Sequence, residues 1–418
     1  MNYIDAIEYI ESFKTVSLAP TLDRIQRILS ILDNPERDLK IIQIAGTNGK
    51  GSVAEITAAV LSQMGYKVGL YISPYVIDFC ERIQINGEMI PKNMLAQLCA
   101  KAKSRIEKEK SPVILSQFEL TTALAFMYFK REKCDFCVLE AGLGGKYDAT
   151  NVIEKPLCSV LTRISLDHTK VLGNTVEEIT AEKCGIIKNE VPLITCAQDE
   201  TVLKIITDEC EKNNSKLRIA DIDLCSDISL SLKETAFTFE GVKFNIPLLG
   251  KHQVENSLMA IMVLKEIMPG LTPRYINEGF SKANHPGRLE LVSENPSILL
   301  DGAHNPGAAK SLKDFLISVG WKGNILFSAM KDKNYGEVLE LLSEVSSDIS
   351  VVQVENNPRA ESGKALESCA KKYFSNVTLC EDYGSVTGLL TSGSWLVCGS
   401  LFLVSDIRQR IINRHNKI

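Results

Sequence analysis

Residues 41–64, IIQIAGTNGKGSVAEITAAVLSQM, decide the reading of the fold. The stretch opens with apolar or β-prone residues, turns through glycines, and then places apolar side chains at Val53, Ile56, Ala59, Val60 and Met64. That spacing is helical, and Gly65 is placed to end the helix. A strand, a glycine turn and a helix N-terminus together form an anion site, because backbone N–H groups converge there and the helix dipole adds positive charge. Lys50 is placed to reach the β- and γ-phosphates of a nucleoside triphosphate, and Ser52 supplies the hydroxyl that such loops hold near Mg²⁺. The match to G-x-x-x-x-G-K-[ST] departs twice: Ile44 replaces the first glycine, and Gly51 separates Lys50 from Ser52.

Outward from this stretch, short apolar strands alternate with helices. Lys67–Ser73, Phe136–Glu140, Cys158–Ile164 and Pro192–Cys196 read as strands, with helices over 92–110 and 118–131. Residues 3–32 read as one or two amphipathic helices broken near Pro20-Thr21. Residues 215–247 read as a small β excursion, 249–268 as a helix carrying Asn256, and 269–286 as a proline-rich passage. A second α/β pattern restarts after Arg288, with strands at 297–301, 324–329, 349–354 and 395–398 and helices at 307–319, 335–346, 361–373 and 403–413. The expected fold is α/β: a mostly parallel, doubly wound P-loop domain over 1–287, then a smaller Rossmann-like α/β domain over 288–418. A chain of 418 residues is too long for one ordinary core, which agrees with that division.

Composition narrows the function. With 45% hydrophobic and 24% charged residues the chain is globular, and a net charge of −5 argues against general binding to nucleic acid or a membrane surface. No run approaches a membrane span, and MNYIDAIEYIESF is unlike a signal or transit peptide. The twelve cysteines are scattered, with one C-x-x-C pair at Cys134 and Cys137, so buried thiols in a reducing cytoplasm are expected rather than a zinc site.

Ligands of doubly wound sheets sit beyond the carboxyl ends of the strands. Gly46, Ser73, Glu140 and His168 all follow apolar strands at that edge. The Ser73 hydroxyl and the Glu140 carboxylate suit a hard cation such as Mg²⁺, whereas the His168 imidazole hints at a second metal position. DGAHNP, 301–306, occupies a similar position in the second domain, although Asp-Gly and Asn-Pro are also ordinary turn dipeptides.

These residues carry a resemblance. GTNGKGS (46–52), SP (73–74) followed by ER (81–82), FE (118–119), EAGLGGKYDATN (140–151), SLDHT (165–169), EKCGIIK (182–188), HPGR (285–288) and DGAHNP (301–306) resemble, in order, the folylpolyglutamate synthase/dihydrofolate synthase family of the Mur ligase group. The likeness runs from Leu22-Asp23-Arg24 to Gly399-Ser400-Leu401. It implies a monomeric, cytoplasmic, ATP-dependent ligase that joins L-glutamate to dihydropteroate or a reduced folate. It further implies that Gly49, Lys50, Gly51, Ser52 and Val53 hold ATP phosphates, with Asn256, Arg288 and Asp301 also serving the nucleotide. Ser73, Glu140 and His168 match Mg²⁺ ligands, with two magnesium sites and a potassium ion as expected cofactors. Lys183 matches a carbamylated lysine; His304 and Ser400 match contacts to the incoming glutamate, and Asp148 and Ala149 lie in the motif against the pterin. Lys50, Lys183 and His304 are the expected catalytic residues.

This sequence departs from the family pattern at Tyr75 (often His), Lys146 (often Arg) and Cys184 (often Ala). Two other readings stay open: a Mur-type ligase acting on another carboxylate, and a nucleotide switch or ATPase that moves a partner. The second would explain the phosphate loop but not His168, Lys183 or DGAHNP.

Overall fold

A computed structural model describes residues 1–13 and 20–415, so part of the expected helical region over 3–32 lies outside the described residues. The chain forms two compact units, residues 1–223 with 255–283, and residues 224–254 with 284–418.

The first unit is built on an eight-stranded sheet of β1 (Ile41–Ala45), β2 (Val68–Tyr71), β3 (Ile83–Ile85), β4 (Glu88–Met89), β5 (Phe136–Glu140), β6 (Cys158–Leu161), β7 (Leu193–Cys196) and β8 (Leu217–Ala220). Their order is β4-β3-β2-β5-β1-β6-β7-β8. All pairs are parallel except β2–β3 and β3–β4. Every residue of β1, β5 and β6 is buried, as continuous apolar runs in the middle of a parallel sheet must be. Asn86 and Gly87, both at positive φ, turn β3 into β4.

Helices cover both faces. One layer combines α1 (Tyr3–Ser12), α2 (Asp23–Ile31), α4 (Lys92–Ile106) and α5 (Gln117–Arg131), with Ile10, Ile28, Leu98 and Phe126 in a shared core. Helix α3 (Lys50–Gln63) follows β1, and α6 (Thr169–Leu172), α7 (Val176–Cys184) and α8 (Glu200–Lys212) follow β6 and β7. Ile179 and Ile206 close a second core against Leu161 and Leu193. The α9 helix (Lys251–Ile267) contains the division between the units, and α10 (Pro273–Phe280) packs on α3, Gly279 facing Val60.

The second unit holds a three-stranded antiparallel sheet of β9 (Cys225–Leu230), β10 (Thr235–Phe239) and β11 (Val242–Ile246). Its larger sheet runs β12-β13-β17-β14-β15-β16, formed by β12 (Glu290–Glu294), β13 (Ser297–Leu300), β14 (Asn324–Phe327), β15 (Asp348–Val351), β16 (Asn376–Leu379) and β17 (Ser394–Cys398). Helices α11 (Pro306–Ser318), α12 (Tyr335–Ser343), α13 (Gly363–Ala370), α14 (Tyr383–Leu389) and α15 (Leu401–His415) link and flank these strands.

Several details differ from the sequence reading. The expected β excursion over 215–247 divides: 217–220 joins the edge of the first sheet beside β7, and 225–246 forms the separate sheet. Leu230, Leu232 and Leu249 pack into the second unit's core, which explains why 224–254 groups with that unit. The proline-rich passage contains a helix because Pro273 stands in its first turn, where a missing N–H costs nothing. Helix α8 escaped the reading although Val202, Ile206 and Cys210 recur every four residues. Among the described residues no helix is long and apolar enough to cross a membrane.

The Phe-Glu motif at 118–119 supports this framework directly. Ser116 caps α5, and the Glu119 carboxylate returns the bond by accepting from Ser116 N–H at 2.6 Å. It also accepts from Arg24 Nε at 3.0 Å while only 5% exposed, which ties α2 to α5. Glu119→Ala is expected to cost about 2–3 kcal/mol, since it leaves the half-buried Ser116 N–H unsatisfied and breaks a sheltered ion pair. Urea unfolding checks this, and an unchanged midpoint would refute it.

Candidate active site

The turn after β1 is shaped by its neighbours. Gly46 has φ +146°, and a Cβ there would lie 1.9 Å from Thr162 Oγ1, so only glycine fits. The Thr47 and Asn48 N–H groups donate to the Arg163 carbonyl at 2.9 and 3.1 Å, and Thr47 Oγ1 donates to the Ser165 carbonyl. These bonds pin the loop to the segment leaving β6. Gly49, at φ +92°, is the N-cap of α3 and brings no capping side chain to the helix's first N–H groups. Asn256 of α9 lies against it, its Oδ1 2.5 Å from where a Gly49 Cβ would sit. Gly51, Ser52 and Val53 are buried in the first turn.

Around this loop the carboxyl edge of the sheet gathers charge. Lys50 Nζ donates to the Thr47 carbonyl at 3.1 Å and lies 4.0 Å from Glu140 Oε1. The other Glu140 oxygen accepts from Ser73 N–H at 3.0 Å. Lys183, 4% exposed near the end of α7, donates from Nζ to the Gly46 carbonyl at 2.7 Å. Burial, reinforced by Lys50, pulls the Lys183 ammonium down to about 7. The structure therefore brings Ser73, Glu140, Lys50 and Lys183 to one loop. His168 stands further out at φ +52°, exposed, as the N-cap of α6, with its backbone N–H donating to Asp167.

Sequence reasoning missed Glu55. It follows Lys50 on α3, and burial, with the Glu140 charge second, pushes its carboxyl up to about 8. A carboxylate within the apolar body of α3 was the available signal. Arg163 was missed as well; it pairs with Glu255, the neighbour of Asn256 on α9.

The AGLGGKYDATN segment is held by its own polar groups. The Asp148 carboxylate accepts from Leu143 N–H, Thr150 N–H and Thr150 Oγ1 at 3.0, 2.9 and 2.7 Å. Asp148 is thus the organiser of the turn, with Ala149 buried beside it. Asn151 donates to the Lys146 and Gly185 carbonyls, both at 3.0 Å, coupling this loop to the end of α7 and so to Lys183.

In the second unit Asp301 directly follows β13 and accepts from Leu289 and Ala303 N–H groups, both at 2.8 Å. Burial raises its carboxyl, and Arg288 opposes that shift. Arg288 also approaches Gly302, whose added Cβ would lie 2.9 Å from Arg288 Nη1. His304 Nδ1 is 2.8 Å from the Gly302 carbonyl, which can only accept, so Nδ1 carries the proton. Ser400 follows β17, buried, its Oγ accepting from Phe402 N–H. His252, pushed down to about 4 by burial and then by Arg288, stays neutral beside this group.

Two α/β units, the first with a glycine loop, a lysine and a carboxylate at the switch point of its sheet, define a nucleotide-binding enzyme architecture. The family models for the Mur ligase middle domain and for the Mur ligase glutamate ligase domain match residues 44–264 and 287–393. The dihydrofolate synthase/folylpolyglutamate synthase of Bacillus subtilis is 34% identical, over 98% of this chain and 99% of its own. The solved folylpolyglutamate synthase of Thermotoga maritima superposes with a TM-score of 0.84 at 34% identity, covering 99% of this chain and 97% of the other. A structure described as an FPGS-AMPPCP-folate complex gives a TM-score of 0.84 at 31% identity, covering 99% of this chain and all of the other. The chain belongs to the folylpolyglutamate synthase/dihydrofolate synthase family of Mur ligases.

Proposed function

We propose that this protein is an ATP-dependent ligase that adds L-glutamate to a folate-type carboxylate, with dihydropteroate, a reduced folate or both as acceptor. The observation that carries this reading is the phosphate-type loop joined to Lys50, Glu140 and Lys183, in a chain similar over nearly its full length to folylpolyglutamate synthases. The acceptor carboxylate attacks the γ-phosphate of ATP, giving an acyl phosphate and ADP. The glutamate amine then attacks the activated carbonyl, and phosphate leaves from the tetrahedral intermediate.

Residues 1–287 would hold ATP and the pterin, and residues 288–418 the glutamate. Gly49, Gly51, Ser52 and Val53 offer the anion cradle at the start of α3, while Lys50 places its ammonium at the transferring phosphoryl group. Asn256, Arg288 and Asp301 serve the nucleotide. Asp148 fixes the loop that, with Ala149, lies against the pterin. His304, its ring fixed by the Nδ1 bond to the Gly302 carbonyl, and Ser400, with its hydroxyl, would contact the incoming glutamate. Ser73 and Glu140 present oxygen donors that fit a hard cation, with His168 serving a second and potassium a further one. Bound Mg²⁺ supplies charge neutralisation on the phosphates. Lys183 would carry a carbamate. The twelve cysteines are all free thiols, which supports a reducing, cytoplasmic setting, and we take the enzyme to act as a monomer.

The test is ADP release with Mg-ATP and L-glutamate, comparing 7,8-dihydropteroate with tetrahydrofolate. ADP release that requires both glutamate and an acceptor is expected. Release that needs neither would refute the ligase reading in favour of an ATPase.

A further inference from the structure

The C-x-x-C pair at Cys134 and Cys137 lies where the chain passes from α5 to β5, and it takes no part in the proposed ligation. Helix α5 ends through a left-handed residue, Lys133 at φ +54°. The Lys133 and Cys134 N–H groups donate back to the Lys130 and Phe129 carbonyls, both at 3.1 Å. In that C-terminal motif the residue two beyond the cap folds back onto the last turn, so Cys134 packs against the core that contains Phe129. Strand alternation then turns Cys137 and Leu139 towards the same core. Cys137 is fully buried there, whereas Cys134 is half-buried.

The turn around the pair is fixed by Lys67, the residue before β2. Asp135 N–H donates to the Lys67 carbonyl at 2.7 Å, and its carboxylate accepts from Lys67 N–H at 2.8 Å. Lys67 Nζ pairs with Glu132 at 2.7 Å, and Cys137 N–H donates to the Lys40 carbonyl at 2.8 Å. This frame holds the two sulfurs together. A hydrogen bond from the Cys137 thiol is the main cause that brings the Cys134 thiol below its usual range, with burial opposing and Lys67 assisting. The Cys137 thiol moves well above that range, through burial first and then Cys134. Burial lifts the thiols of Cys99, Cys158 and Cys398 as well, so Cys134 differs from them in its direction. A half-buried sulfur that favours its thiolate, beside a buried thiol, has the arrangement of an attacking and a resolving cysteine. Among the described residues no group of three His, Cys, Asp or Glu side chains could hold a metal ion, which leaves the pair a dithiol and not half of a zinc site.

We propose that Cys134 and Cys137 form a reversible thiol–disulfide site, Cys134 attacking and Cys137 resolving, that responds to small-molecule disulfides. The Cys134 thiolate attacks one sulfur of a disulfide such as oxidised glutathione. That S–S bond breaks, a mixed disulfide forms on Cys134, and one thiolate leaves and takes up a proton. Cys137 Sγ then releases its proton to solvent and attacks Cys134 Sγ, which expels the second thiolate. Two protein thiols are thereby oxidised by two electrons, and the small disulfide is reduced to two thiols. The pair lies at the amino end of β5, with Glu140 at the other end, so the modification uses no residue assigned to ligation and is independent of that assignment. In a reducing cytoplasm such a bond is transient, forming when the surrounding thiol pool is oxidised.

The test treats the folded, reduced full chain with oxidised glutathione, quenches it in acid and alkylates the remaining thiols. Mass spectrometry then maps the tryptic peptide 134–146, which contains these two cysteines and no other. The expected product carries no alkyl group and is lighter than the dithiol peptide by two hydrogen atoms, and dithiothreitol restores the dithiol. Cys137→Ala, a small apolar replacement within the core, is expected to stop at the glutathione adduct on Cys134. Cys134→Ser is expected to lose the modification altogether and leave Cys137 a free thiol. A wild-type peptide that stays fully alkylated would overturn the proposal, and so would a glutathione adduct that persists in wild type without closing to the disulfide. Cys137 modified as readily in Cys134→Ser as in wild type would overturn the order of attack. The wild-type map decides the existence of the site whether or not either variant folds.

Discussion

Lys50→Ala is expected to lower glutamate ligation by about three orders of magnitude while leaving the fold in place. The size follows from the role: a preorganised cation at a transferring phosphoryl group contributes more in the transition state than in the ground state. The survival of the fold follows from the geometry. Lys50 Nζ donates to the Thr47 carbonyl within its own loop, and its ion pair with Glu140 is long at 4.0 Å. Glu140 retains the Ser73 N–H after the change, and Gly46 and Gly49 keep the loop's path. A melting temperature within a few degrees of wild type should accompany the lost ADP release. Lys50→Arg keeps the charge but replaces a compact ammonium with a wider planar fork, so little activity should return. The same substitution has a second consequence. Lys50 helps depress Lys183, so its removal makes the Lys183 amine more basic and its neutral form scarcer. Unchanged turnover in Lys50→Ala would refute the role given to the loop.

The contrast between these two lysines shows what the sequence disclosed. The strand, glycine turn and helix at 41–64 were legible because they are contiguous, so backbone geometry follows from local pattern. Glu140 and Ser73 were legible as strand ends, since a parallel sheet aligns its carboxyl edges whatever the chain order. The links between them were not. That Lys183 bonds to the Gly46 carbonyl depends on α7 returning beneath the loop, a tertiary fact that spacing cannot supply. Glu55 escaped for a similar reason, because its raised carboxyl reflects burial and the Glu140 charge, neither visible within α3 itself. The division of residues 215–247 was missed because β8 owes its place to pairing with β7 rather than to its own weak alternation. Resemblance named positions such as Asp148 and Glu119, but it did not disclose that both carboxylates bond to backbone N–H groups and side chains of the protein itself.

Lys183→Ala is expected to abolish ligation as fully as Lys50→Ala, because it would remove the amine proposed to carry the carbamate. A neutral amine adds to CO₂ and loses a proton, giving a carbamate; an ammonium cannot. Burial brings the Lys183 ammonium from an ordinary 10.5 to about 7, so much of it is neutral at the pH of a cytoplasm. The product would be an anion beside the Lys50 cation, which favours the modification, and it would remove a positive charge from the site proposed to accept metal. Activity should therefore fall as pH drops below about 7, because protonation of the amine reverses the addition. It should return when bicarbonate is restored to CO₂-depleted enzyme. Carbon-13 bicarbonate should give a carbamate signal in wild type and none in Lys183→Ala. The unmodified protein has its own signature. Because the folded pKa lies below the unfolded one, the unfolded chain holds the extra proton between about pH 7 and 10.5, and stability from this group rises with pH across that window. Below pH 7 the penalty for burying the charge is complete and the dependence flattens. Lys183→Met should remove that slope, as read from urea midpoints in CO₂-free buffer. A slope that survived in the variant would show that Lys183 is not the group responsible, and the chemical case for the carbamate would lose its neutral nucleophile.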